Sequence, residues 1–137
     1  MAELTTSINW LAVLVATLTY FFLGAIWYSL LFTKKWMELR DITEDDIKED
    51  QPNPLLFLWT FLFQLIAIAT LALFIEAIGI SGLWAGMVAG LGIGVGIVFT
   101  LTATTGLFSG TKLGLHFIDN GYHIIGLTIF GAIIGIW

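Results

Sequence analysis

The sequence predicts an all-α fold: an integral membrane bundle of four transmembrane helices, forming one domain over residues 1–137. Three observations predict it. The chain is 58% hydrophobic and only 11% charged, where a soluble domain carries about 25% charged residues to cover itself in water. Its apolar residues fall into four segments, roughly 8–32, 54–78, 81–105 and 113–136. Each exceeds the roughly 20 residues that a helix needs to cross a bilayer at about 1.5 Å rise per residue. None shows the alternation with period two that marks a barrel strand.

The first span, 8–32, does not read as a cleaved leader. No basic residue precedes it, it is too long, and no small-x-small cleavage site follows. The loop 33–53 is the only sizeable polar part and holds seven of the ten acidic residues, from Glu38 to Asp50. Within it "TEDD" at 43–46 predicts a helix start. Thr43 is the N-cap, acids fill the first turn and Asp46 stands at the capping-box position. With Ile42 and Ile47 this makes a short interfacial helix, which Pro52 ends before Pro54 opens the second span. Charge runs are usually solvated connectors, and the alternative for this loop is a docking site for a protein partner.

The basic residues orient the chain. Lys34, Lys35, Arg40 and Lys48 lie between spans one and two, and Lys112 between spans three and four. All five therefore fall on one side, which the positive-inside rule places in the cytoplasm, with both termini outside. Trp10, Trp84 and Trp137 then mark the outer interface, and Trp36 and Trp59 the inner one. Five basic residues mixed with acids make no nucleic-acid surface. The partners expected are the lipid bilayer and further copies of the chain, since four spans are few to enclose an aqueous path.

Spans three and four carry small-residue faces. Gly82, Gly86, Gly90 and Gly94 recur every four residues on an arc about 120° wide, and Thr100 and Thr104 continue it. Gly114, Gly121, Gly131 and Gly135 share an arc about 100° wide on span four. Apolar burial gives helices in lipid little reason to associate, so small residues that let backbones approach serve as packing faces. They could serve within a protomer or between protomers. Lining a narrow pore or permitting a hinge is the alternative.

Span four also carries a polar stripe. His116, Asp119, Asn120 and His123 follow at i, i+3, i+4 and i+7, opposite an apolar face suited to lipid, Ile118, Tyr122, Ile125 and Ile129. From Lys112, Asp119 lies about 10 Å and His123 about 16 Å into the span. A charge near the midplane costs at least about 2.5–3.5 kcal/mol, so the stripe should face protein or water. Tyr28, Gln64, Thr100, Thr102 and Thr104 offer polar partners at similar depth.

Three readings fit. In the first the stripe is cross-helix glue, with Asp119 accepting from His123 and from span-three threonines. In the second it is a proton-coupled or substrate site of a small transporter or channel. The third is a metal or haem site at an oligomer interface. It would need symmetry mates, because the chain has no cysteine and only two histidines. No nucleophile–base pair is visible, so no catalytic residue and no cofactor are expected.

Asn9, the "GAIWYS" of Gly24–Ser29, Phe32, Trp36 with Met37, and "DNGY" through the terminal "GAIIGIW" of Asp119–Trp137 together resemble the bacterial membrane family called domain of unknown function 1761. The resemblance covers nearly the whole chain. It implies a bacterial four-span protein of the cytoplasmic membrane and no particular activity. It also implies that Trp27, Tyr28, Asn120, Gly121 and Tyr122 matter. The family usually has proline after WYS. Here the residue is Leu30, so the resemblance carries no proline kink over to the inner end of span one.

Overall fold

The computed structural model describes residues 8–49 and 52–137. The stretch expected to begin on the outer side, residues 1–7, lies outside the described residues, as do Asp50 and Gln51 of the loop. The described chain is helical without strands, and four of its helices are long and apolar enough to cross a membrane.

Each helix starts and stops where its sequence supplies partners for the free backbone groups. Span one, α1, is Trp10–Leu31. The Asn9 side chain caps it, accepting from the Leu11 and Ala12 amides at 3.0 and 3.2 Å. Its last turn, Trp27–Leu31, widens into a π-turn, with the Phe32 amide donating to the Trp27 carbonyl at 2.9 Å. The helix therefore breaks at WYS without a proline. The Thr33 hydroxyl donates to the Tyr28 carbonyl at 2.8 Å.

The loop holds two short helices rather than the one expected. In α2, Thr33–Arg40, Asp41 adopts φ 57° and ends the helix. The Ile42 amide returns to the Met37 carbonyl, as glycine-ended helices do. In α3, Glu44–Glu49, the expected capping box is present. The Thr43 amide and hydroxyl donate to Asp46 Oδ2 at 2.7 and 2.6 Å, and the Asp46 amide donates back to the Thr43 hydroxyl. Those donors hold the Asp46 carboxyl below its ordinary pKa.

Span two, α4, is Pro54–Ile78, with Asn53 as its cap and Gly79 in the left-handed conformation after it. Span three, α5, is Leu83–Ser109 and is interrupted by a π-turn at Gly94–Phe99. Span four, α6, is Leu113–Ile136.

Span four is the hub. It packs against span three on one side and span one on the other, and span two packs against span one. Ile68, Ala72 and Ile75, spaced at helical intervals on α4, are buried, while most of that helix presents large apolar side chains outward.

The span three–span four contact is made of backbone. A Cβ at Gly86 would fall on the Gly131 carbonyl, one at Gly90 on the Leu127 carbonyl, and one at Gly94 would lie 3.0 Å from Ile124 Cα. At the top, the Gly82 amide donates to the Gly135 carbonyl at 2.5 Å. Gly82, Gly86, Gly90, Gly94, Gly131 and Gly135 are thus consumed within one chain.

Gly121 and Gly114 do not belong to this seam, contrary to the single arc expected. Gly121 receives the Trp27 ring and Gly114 the Leu39 side chain. The apolar face assigned to lipid also needs correction. Ile118 and Tyr122 are buried, because Trp27 and Tyr20 cover that side of α6. Gly92 and Gly96, in contrast, have nothing within 4 Å of where a Cβ would sit.

Gly90→Leu is therefore expected to melt at markedly lower temperature in detergent or nanodiscs, since overpacking alone costs about 1–3 kcal/mol and here the obstacle is backbone. Gly92→Leu, two residues away, is expected to melt like the parent or higher. Equal melting of the two variants would contradict the seam.

Candidate functional site

Below Gly94 the two helices part. The π-turn at Gly94–Phe99 adds about one residue, about 100°, to the helical register, so Thr102 and Gly106 turn toward span four. A cleft of about 680 Å³ opens there, between the basic-end half of α5 and the end of α1 with α2, and its floor is span four. His116, Asp119, Asn120 and His123 all line it, together with Tyr28. The stripe and its expected span-one partner are thus brought together.

The polar side chains of span four reach three neighbouring helices. Tyr28 Oη donates to Asp119 Oδ1 at 2.8 Å. Tyr20 Oη and His123 Nδ1 share a hydrogen bond of 2.5 Å. Thr102 Oγ1 donates to Asn120 Oδ1 at 2.5 Å, and Asn120 Nδ2 donates to the His116 carbonyl at 2.9 Å. Gln64 Nε2 donates to Tyr122 Oη at 2.7 Å, which in turn donates to the Tyr20 carbonyl at 3.2 Å. Span four is thereby tied to spans one, two and three. Such bonds contribute about 0.6 kcal/mol each on average in membranes, up to about 1–2.

Several expected pairings differ. Asp119 does not accept from His123. The two residues bond instead to Tyr28 and Tyr20 on span one. The threonine that reaches across is Thr102, and it goes to Asn120 rather than Asp119. Thr100 and Thr104 are exposed and donate to carbonyls of their own helix, Gly96 and Thr100, because the π-turn rotates them away. Gln64 joins the network above the cleft and does not line it.

Residue composition alone had no way to place Trp27. It is buried, donates through Nε1 to the Ile118 carbonyl at 3.0 Å and rests on Gly121. A large aromatic on α1 opposite a glycine on α6 was the available signal.

The cleft is closed at one end and polar at the other. At its deep end the Tyr20 and Tyr122 rings stack with centroids 4.9 Å apart, Tyr20 covers Gly126, and Gly94 meets Ile124. At its rim Arg40 lies 4.7 Å above the Trp36 ring, and Lys112 pairs with Asp41 at 2.7 Å. His116 packs under Gly106, where a Cβ would lie 2.6 Å from the ring. Its Nε2 is buried with no hydrogen-bond partner among the described residues. No group of three metal-ligating side chains comes together among the described residues.

The family described as "Protein of unknown function (DUF1761)" matches residues 11–135. No curated protein and no solved structure matches the chain.

Thr102→Val removes the only donor to Asn120 Oδ1 among the described residues and is expected to destabilise the protein by about 1–2 kcal/mol in chemical unfolding. Thr104→Val, which loses only a bond to its own helix, should stay within about 0.5 kcal/mol of the parent. Equal losses would mean that span three is not rotated below its π-turn.

Proposed function

The chain belongs to the DUF1761 family of proteins of unknown function, and from that premise we propose that it is a bacterial inner-membrane protein that binds a small polar group in its cleft. The basic end faces the cytoplasm, because Lys34, Lys35, Arg40, Lys48 and Lys112 all lie there. The observation that carries the proposal is the cleft itself. Its volume of about 680 Å³ is that of a small-molecule site, about 300–1,000 Å³. Polar side chains of four separate segments converge on it, and it runs from the basic end to the Tyr20–His123 pair.

Binding is better supported than conduction. The glycine seam and the stacked tyrosines leave no path past the deep end in this conformation. Opening one would pull apart backbones in direct contact. The polar stripe then has two tasks. It fastens span four to its neighbours, and it presents Asp119, Asn120 and His116 as the cleft floor.

The chain has no cysteine, so single cysteines test this directly. A membrane-impermeant maleimide applied to inside-out vesicles is expected to label Thr105→Cys, on the cleft wall, and to spare Thr104→Cys beside it. Right-side-out vesicles should label neither. Labelling of both positions, or of neither, from the cytoplasmic side would overturn the water-filled cleft.

A further inference from the structure

The cleft is lined by a basic and an acidic side chain, Arg40 and Asp119, that make no ion pair among the described residues. Arg40 lines it, with its guanidinium carbon over the Trp36 ring at 4.7 Å from the centroid. Lys35, Lys48 and Lys112 each sit on a carboxylate, at 2.9, 3.1 and 2.7 Å. Arg40 forms no ion pair among the described residues. An arginine fixed by stacking keeps the edge of its guanidinium, with paired N–H donors, free for an oxyanion.

Asp119 is the counterpart. Tyr28 occupies Oδ1. Oδ2 has no hydrogen-bond partner among the described residues, yet it is not among the side-chain atoms sealed from solvent, so it is open to a donor from the cleft. Tyr28, which bonds Asp119, packs edge-on against Trp36 with ring centroids 5.9 Å apart, and Arg40 lies over that same Trp36 ring, so both groups border one cavity. The α5 wall is apolar at Leu101 and hydroxyl-bearing at Thr105, and Leu115 adds an apolar side chain to the floor.

A ligand that satisfies both groups carries an oxyanion and an N–H-bearing cation in one molecule. We propose that the cleft binds an ammonium–phosphate zwitterion, with the phosphate on Arg40 and the ammonium on Asp119 Oδ2. This rests on the cleft proposed above as a binding site. The chemistry occurs in a phosphatidylethanolamine headgroup and in free phosphoethanolamine. The two further lipids that matter as controls each lack one feature. Phosphatidylglycerol has no cation, and phosphatidylcholine has a cation with no N–H to donate.

The unchanged protein is reconstituted in nanodiscs of mixed composition, extracted gently and weighed intact by native mass spectrometry to count retained lipids. Retention of phosphatidylethanolamine about tenfold or more above phosphatidylcholine and phosphatidylglycerol is expected. One charge-assisted hydrogen bond is enough for that factor. Arg40→Gln and Asp119→Asn should each abolish the preference. Asp119→Asn still accepts from Tyr28, and a melt of each variant without added lipid verifies its fold.

Free phosphoethanolamine is then titrated against the bound lipid. Displacement identifies a soluble ligand as sufficient, while lipid retention that resists it identifies the membrane as the source. Either result supports the zwitterion site. Equal retention of the three headgroups, or a preference that survives both substitutions, overturns it. If Thr105→Cys still labels from the cytoplasmic side in that case, the cleft stands and only its ligand class is wrong.

Discussion

Backbone-to-backbone contact between spans three and four is the constraint on which the rest depends. Gly86 on Gly131 and Gly90 on Leu127 leave no room for a single methyl group. In lipid such closeness replaces the hydrophobic effect as the source of association, through dispersion between surfaces that fit. It also fixes where the two helices must separate. Residues repeated every four places drift about 40° per step around an α-helix, so the seam cannot continue indefinitely. Below Gly94 the π-turn re-aims span three, and the helices part over the cleft.

Span four meets the cost of its polar residues by distributing them. Asp119 and His123 go to the two tyrosines of span one, Asn120 to Thr102 of span three, and Tyr122 to Gln64 of span two. No two of these bonds join the same pair of side chains, and each crosses to a different neighbour or a different turn. Polar groups that would be expensive against lipid thus determine which helix lies beside which. The cleft is where this network stays incomplete: among the described residues Asp119 Oδ2 has no hydrogen-bond partner and Arg40, stacked on Trp36, has no ion pair.

Much of this was legible in the sequence because its signals are local. Four apolar segments, a cluster of basic residues, Asn53–Pro54 and the Thr43–Asp46 capping box each act within a few residues, and the helix bounds follow them closely. The stripe His116–His123 was legible as one face, and the structure keeps it as one face. What was not legible depends on register between distant segments. A uniform 100° per residue carries Thr100 and Thr104 onto the glycine arc, and one π-turn rotates them off it. Ile118 and Tyr122 suit lipid by composition. They are buried because Trp27 and Tyr20 stand across from them, a pairing of residues about a hundred positions apart. Asp119 and His123 are one helical turn apart, yet tyrosines on another helix outcompete that local bond.

Span three is sealed against span four above its π-turn and borders the open cleft below it. Amide hydrogen exchange of the protein in nanodiscs, resolved along α5, tests this directly. The account predicts strong protection across Leu83–Ile93 and faster exchange across Thr100–Ser109. Uniform protection along the whole span would contradict it, since that would mean the helices stay together and no cleft opens at the basic end.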